Sequence, residues 1–325
     1  MLISTDSLVI MLLCSRLGLP SDTDPAPLTL RQWNPIARKI AAAGLRPGSL
    51  LGQSSAQVAA TLDEPIENAE KLKALLDRRS ALELELQRLD SLGIWVRTRV
   101  DEEYPQRYRQ RLKESAPVIL YGAGDRYLPG QPGLAVVGSR NVNEAGQQAA
   151  EYVGNACAHH GLVVYSGGAR GVDIFSMKAA LEGRGTSVGV LAHSLVKAIR
   201  KSDYRAALER GDLTLLTSFS PDAGFSVGAA MGRNKLIYTL ADYALVIASE
   251  VGKGGTWSGS TDALKHRWLP VYAVSGEDVP EGNRMLIEKG AIPFPIPFPV
   301  EIDLRQWFDE QSEGYLSPPE QLKLI

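Results

Sequence analysis

Apolar positions in the first third of the chain recur at helical spacing, and no segment there alternates apolar and polar residue by residue. Residues 8–17 read as one short helix, residues 30–43 as a second closed by Gly44, and residues 66–92 as a long amphipathic helix ended by Gly93. A proline-rich stretch, residues 20–27, separates the first two. From Gly93 onward short apolar runs alternate with helical periods, the pattern of βαβ units built around a parallel sheet. Strands are expected at 134–137, 162–165, 187–192, 213–219, 243–248 and, as the last, 269–274. Helices lie between them: one with Ala149, Tyr152, Val153, Ala156 and Cys157 on a common face, one running through Leu181, a basic one, and two near 234–240 and 262–268. Strands each followed by a polar or glycine-rich loop and a helix give an α/β fold with a doubly wound parallel sheet, preceded by a small helical domain. The expected division is a helical part at 1–92, the sheet-containing part at 93–300 and a C-terminal tail at 301–325.

Composition supports a packed protein: 44% of residues are hydrophobic and 22% charged. The net charge of −2 removes a chain-wide basic excess as an argument for nucleic acid, yet the charges are not evenly spread. Residues 96–220 carry 16 Lys and Arg against 12 Asp and Glu, whereas residues 221–325 carry 9 against 14. A phosphate-binding surface and ordinary solvated helices both produce such an asymmetry. Arg31, Arg38, Lys39 and Arg46 give the helical part some basic character, read first as a solvated face. The two cysteines, Cys14 and Cys157, form no C-x-x-C pair, and the four histidines have no metal-ligand spacing, so no metal or cofactor is expected and a reduced, cytoplasmic protein is. The apolar run at 8–14 is far short of the roughly 20 residues a membrane span needs.

In an open parallel sheet the ligand sits beyond the carboxyl ends of the strands, where the strand-to-helix loops gather. Gly138-Ser139-Arg140 follows one strand and is expected to open a helix, presenting amides, a hydroxyl and a guanidinium to an anion. Ser166-Gly167-Gly168-Ala169-Arg170-Gly171 follows the next strand, with three glycines that let a sugar-phosphate approach the backbone. A third segment, residues 252–260, holds Gly254, Gly255, Thr256, Trp257 and Ser258 and reads as a further glycine-rich loop. Trp257 either stacks on a base or packs on a neighbouring helix; both readings stand. Arg233-Asn234-Lys235 at the start of a helix, and the basic stretch Lys197, Arg200, Lys201, Arg205 and Arg210, would add a salt-dependent attraction for phosphates.

No catalytic constellation emerges. The chain has no Walker A motif, no H-E-x-x-H and no G-x-G-x-x-G, and the G-x-S-x-G match at 185–189 leads into a strand instead of leaving one.

The order of motifs is recognisable. Tyr104-Pro105, then residues 116–124, then Ala135-Val136-Val137-Gly138-Ser139-Arg140, then residues 166–173, Gly232-Arg233-Asn234-Lys235-Leu236-Ile237, Trp257-Ser258-Gly259-Ser260, residues 271–276 and residues 282–291 together resemble the DprA/Smf family of DNA-processing proteins. The resemblance covers about residues 93–295 and implies a Rossmann-like form of the doubly wound sheet. It implies a protein that binds single-stranded DNA, forms a homodimer and delivers the strand to a RecA-type recombinase during uptake and recombination. Carried over by motif, Arg140, Ser166, Gly167, Gly168, Arg233 and Lys235 line the phosphate track. The chain departs from the family at Ser176-Met177, where Ala-His is usual, in the glycine content of residues 252–256, and in the expected lack of the C-terminal winged helix of many members. Such a divergent relative would suit a role in phage defence. The alternative is a nucleotide sensor or an enzyme: Gly254-Gly255-Thr256 is similar to the glycine motif of the LOG-type nucleotide phosphoribohydrolases, although Gly259 stands where their glutamate would be.

Overall fold

A computed structural model of the chain describes residues 3–20, 25–299, 302–313 and 315. Five helices come first: α1 (Thr5–Cys14), α2 (Leu30–Ala42), α3 (Ser55–Leu62), α4 (Ile66–Leu76) and α5 (Arg79–Ser91). Their starts are written in the sequence as caps. The Ser4 hydroxyl accepts from the Ser7 amide, and Thr29/Gln32 and Ser54/Gln57 form capping boxes. The single long helix expected at 66–92 is two helices, and α3 was not foreseen. The break is held by Arg78, whose guanidinium turns inward and donates to the carbonyls of Met11 (3.0 Å), Leu12 (2.6 Å), Ser15 (2.6 Å) and Leu17 at the end of α1. One side chain thereby gathers carbonyls at and just past the C-terminal end of α1, where intrahelical donors run out. Burial pulls the Arg78 pKa down to about 10. The basic residues of this part are largely paired with carboxylates, Lys39 with Glu64 (2.5 Å) and Arg46 with Asp6 (2.6 Å).

The remaining chain alternates strands and helices: β1 (Ile94–Thr98), α6 (Gln106–Leu112), β2 (Ile119–Ala123), β3 (Gly133–Val137), α7 (Glu144–His159), β4 (Val163–Ser166), α8 (Val172–Glu182), β5 (Ser187–Val190), α9 (Leu195–Ala198), α10 (Ser202–Arg210), β6 (Leu213–Thr217), α11 (Val227–Leu240), β7 (Tyr243–Val246), α12 (Gly254–His266), β8 (Val271–Ser275), α13 (Glu281–Glu288), β9 (Ile292–Pro295) and α14 (Leu304–Gln311). The nine strands form one sheet in the order β1-β2-β6-β5-β4-β3-β7-β8-β9. The seven strands from β6 to β9 are mutually parallel, and β2 and β1 add antiparallel pairs at one edge. The doubly wound α/β class is therefore present, with two antiparallel strands that the apolar pattern did not single out. A further strand, β9, follows the one expected to be last. Its Pro293 and Pro295 obscured it, and they are tolerated because β9 pairs with β8 alone.

Alternate residues of each central strand enter different cores. Leu134 and Val136 of β3 join a cluster that includes α1, α5, α7 and α8, while Ala135 and Val137 join a second that includes α6, α11 and α12. Helices thus cover both faces. The N-terminal helices share the first cluster with the sheet, where Val9 and Leu13 are buried together with Ile94 and Tyr121. Residues 301–325, expected as a tail, contain α14. Its Phe308 is buried and stacks on Tyr243 with ring centroids 4.8 Å apart, and its carbonyl accepts from Tyr272 (2.7 Å). Residues 301, 314 and 316–325 lie outside the described residues. Among the described residues no helix is long and apolar enough to cross a membrane. Burial pushes both cysteine thiols, Cys14 and Cys157, up to about 12.

Candidate nucleic-acid interface

Strands β3, β4, β5 and β6 wind to one side of β3 and β7, β8 and β9 to the other, so the topological switch lies between β3 and β7. Helix α11 links β6 to β7 and lies across this point. A crevice of about 610 Å³ opens there, beyond the carboxyl ends of β3 and β7.

Its walls are stitched by short backbone bonds. The Ser139 amide donates to the Ala248 carbonyl (2.9 Å), joining the β3 and β7 loops, and the Val172 amide donates to the Ser139 carbonyl (3.3 Å), joining β3 to α8. On the β7 side, the buried Asn283 amide group accepts from the Ser249 backbone N–H (2.9 Å) and donates to the carbonyls of Ile247 (3.0 Å) and Val274 (3.0 Å). Gly282 beside it sits so close that a Cβ would lie 2.1 Å from the Ser249 carbonyl oxygen. Asn283 was part of a recognised motif but not of the expected site; its signal is a polar side chain with no surface to serve.

The structure brings nine of the expected site residues to the crevice: Gly138, Ser139, Arg140, Arg233, Asn234, Gly254, Gly255, Thr256 and Ser258. Several arrive differently from expectation. Arg140 does not open a helix; α7 begins at Glu144 under the cap of Asn143, whose side chain accepts from Gly146. Arg140 is exposed and packs over the Phe225 ring at 5.9 Å. Arg233 and Asn234 lie within α11, which begins at Val227. Gly254, Gly255, Thr256 and Ser258 belong to the first turns of α12 and not to a loop, because helical geometry lets this stretch pack against α11. A Cβ on Gly255 would meet the Asn234 amide nitrogen at 2.5 Å, and one on Gly259 would meet the Tyr238 ring at 2.7 Å. The N-cap residue Lys253 provides no side-chain hydrogen bond to that first turn, which leaves amides at a helix N-terminus on the crevice wall. Trp257 is half-buried: it packs against the second core cluster and also lines the crevice.

Six expected residues stand elsewhere. Ser166 is wholly buried in β4 and donates to the Val136 carbonyl (2.7 Å). Gly167 lies beneath Arg233: a Cβ there would fall 1.5 Å from the guanidinium. Gly168 is buried with a left-handed backbone, φ 61°, nearest to Leu191 and Tyr204. Arg170 bonds the Asn141 side chain, and Gly171 (φ 89°) fits against the Ser139–Arg140 backbone, where a Cβ would sit 2.4 Å from the Ser139 carbonyl oxygen. Lys235 faces a different cavity.

The electrostatics centre on Arg233. It is only 5% exposed, and its nearest carboxylate oxygen, on Asp173, is 3.9 Å away. Its Nε has no hydrogen-bond partner among the described residues, and neither has the buried Ser249 hydroxyl on the opposite wall. Asp173, by contrast, accepts from the amides of Gly167 (3.1 Å) and Ala169 (3.4 Å). Burial lowers the Arg233 pKa and raises that of Asp173. Burial, with Lys201 and Arg233 nearby, likewise holds the His193 imidazole below its ordinary range. Two cations without a close hydrogen-bonded carboxylate, a helix N-terminus and two orphaned buried polar atoms give the crevice groups of the kind that hold an anion. Phe225, Val227 and Met231, each more than half exposed, add an apolar ledge beside Arg140 that sequence reasoning missed. They fall in a stretch between the expected strand and helix that the apolar pattern left unread.

Residues 95–296 match the model of the family described as DNA recombination-mediator protein A. Protein Smf of Escherichia coli is 28% identical over 214 residues, 63% of this chain and 56% of that protein. The DNA processing protein DprA of Streptococcus pneumoniae is 27% identical over 180 residues, 54% of this chain and 63% of that protein. The chain thus spans somewhat over half the length of these curated relatives. The crystal structure of the S. pneumoniae protein superposes with a TM-score of 0.65 at 20% identity, covering 90% of this chain and 95% of that one. The DNA processing protein A of Helicobacter pylori, described by its single-stranded DNA binding mode, superposes at 0.55 with 23% identity, covering 69% of this chain and 99% of that one. At these identities the two structures support the fold.

Proposed function

The chain belongs to the DNA recombination-mediator protein A family, and we propose that its crevice binds single-stranded DNA without turning it over. The observation that carries this reading is the buried Arg233 guanidinium, which lines the crevice while its Nε makes no hydrogen bond. A buried cationic donor left open in this way costs stability unless something fills the gap, and a phosphate oxygen supplies the missing acceptor. Arg140 at the rim offers a second cation, and the ledge of Phe225 and Met231 gives bases an apolar surface to stack on. A single strand offers phosphates and unpaired faces together; a duplex offers only the first.

Binding without turnover fits the chemistry of the carboxylates. Asp173 is held by two amides and faces Arg233, which leaves it poorly placed as a general base. A side chain at the position of Gly259 would meet the Tyr238 ring at 2.7 Å, which weighs against a LOG-like hydrolase, whose glutamate would stand there. The H. pylori relative's single-stranded DNA binding supports the choice of ligand. Delivery of the strand to a RecA-type recombinase and a homodimeric state, which the family resemblance implies, complete the proposal, together with a cytoplasmic location, from the cysteine pattern, and the division into residues 1–92 and 93–300, from the change in apolar pattern at Gly93.

The test is binding of a fluorescent single strand of roughly 16 nucleotides, long enough for one binding unit, across a salt series for the native chain and Arg140→Ala. We expect native binding that weakens steeply with salt. In Arg140→Ala the slope should become shallower by about 0.7 for each phosphate that the guanidinium neutralises. A native chain that ignores single strands at low salt sinks the reading.

A further inference from the structure

The crevice has polar groups to spare on each side of the topological switch. Arg140 and Arg233 serve the side of β3 and β4, and the single-strand reading rests on them. The β7 side has its own set. Ser249, in the loop after β7, is 1% exposed, and its hydroxyl has no hydrogen-bond partner among the described residues. Its main chain is engaged toward α13: the amide donates to the Asn283 side chain (2.9 Å), and the carbonyl lies against Gly282. The hydroxyl is therefore what Ser249 offers to the crevice that it lines. Helix α12 starts shortly after, 13 residues long, with an exposed Lys253 as an N-cap that makes no side-chain cap bond and with no acidic residue in its first turn. A Cβ on Gly254 would meet nothing within 4 Å, so the space in front of the first amides is open.

We infer that this wall is a second phosphate subsite, where the Ser249 hydroxyl and the first-turn amides of α12 hold one phosphate while Arg233 and Arg140 hold its neighbour, so that the crevice takes an internal stretch of a strand and needs no free end. The inference rests on the single-strand reading of the crevice and deepens it. The charges on the walls select the kind of phosphate. Among the described residues, three cations, Arg140, Arg233 and Lys253, line the crevice together with two carboxylates, Asp173 and Glu250. Glu250 is exposed next to Ser249 in the chain. It repels a terminal phosphate monoester, with about −1.5 to −2 charges at neutral pH, more than a phosphodiester with a single one.

The test uses the full chain, a linear oligothymidylate of roughly 16 nucleotides with and without a 5′-phosphate, and a closed thymidylate circle, with Ser249→Ala, Lys253→Gln and Lys253→Asp as variants. Two of the substitutions move stability and binding in opposite directions, which a merely structural role does not do. Ser249→Ala removes a buried hydroxyl that has no partner in the free chain, so the unfolding midpoint holds or rises while strand affinity falls about tenfold, the worth of a hydrogen bond to a charged group. Lys253→Asp caps the first turn with its own carboxylate and raises the midpoint. It also occupies the amides, and so weakens strand binding well beyond Lys253→Gln, which removes one cation and lowers the salt slope by about 0.7. The native chain should bind the circle as tightly as the linear strand and gain nothing from the 5′-phosphate. Native-like binding by Ser249→Ala, with Lys253→Asp no weaker than Lys253→Gln, overturns the second subsite and leaves the single-strand reading standing. A chain that binds the phosphorylated linear strand and ignores the circle overturns the internal stretch as ligand in favour of a strand end. A native chain that ignores all three probes at low salt overturns both readings.

Discussion

Two glycine-rich segments flank the crevice, and they use the missing side chain for different ends. At Gly167, after β4, the bare α-carbon makes room for a charged group: the Arg233 guanidinium lies over it, with Asp173 on the far side. At Gly255 and Gly259, one helical turn apart in α12, it makes room for a neighbouring helix, with Asn234 and Tyr238 of α11 filling the space. The Asn234 side chain also donates to the Gly255 carbonyl (3.1 Å), and the Tyr238 and Ser260 hydroxyls bond at 2.8 Å. Helix α11 therefore touches both segments, one through a buried charge and one through close packing. These glycines thus shape the crevice wall from behind, by placing Arg233 and α12.

The largest test of this contrast is Gly167→Ala. Its Cβ would displace Arg233 from beside Asp173, and a separated buried pair should cost about 3 to 5 kcal/mol, read as a lower denaturant midpoint with an unchanged slope. A loss below about 1 kcal/mol, within the ordinary range of single substitutions, would mean that Arg233 has room to swing aside and that the glycine serves another purpose. Gly259→Ala comes next: the methyl group overpacks against the Tyr238 ring, for which about 1 to 3 kcal/mol is expected. Its single-strand salt slope should match that of the native chain, because the substitution takes away no cation. The smallest effect, of opposite sign, belongs to Gly232→Ala in the interior of α11. There a Cβ meets nothing, so alanine should stabilise by up to about 1 kcal/mol in thermal or chemical unfolding. A destabilised Gly232→Ala would show that α11 needs a glycine for an approach from outside the described chain.

Much of the fold was legible because the central strands are buried on both faces and read as short apolar runs, as at Leu134 to Val137. What escaped was local. The antiparallel edge strand β1 includes Arg97 and Thr98, which dilute its apolar run, and β9 carries two prolines that only an edge tolerates. The long N-terminal helix was misread because periodicity continues through Asp77 and Arg78, and the partner that breaks it, the end of α1, is more than sixty residues away. The Gly138–Arg140 and Arg233–Asn234 motifs line the crevice. The buried state of Ser166 and the outward turn of Lys235 toward another cavity depend on helix phase and strand register, which local composition does not encode.

Helix α1 carries a consequence for how the chain is made. Residues Val9 to Leu13 are almost completely buried, yet their partners come late in the sequence. Arg78, which holds the α1 carbonyls, follows Leu12 by 66 positions, and Asp101, which accepts from Ser7 (2.6 Å), follows by 94. At about 5 to 20 residues per second of synthesis, the most apolar helix of the N-terminal part waits several seconds on the ribosome before these later partners close over it. Through that interval its fate rests with whatever shields nascent apolar segments, so yield in the cell should depend on translation speed and chaperone supply at the N-terminus even where the finished fold is stable.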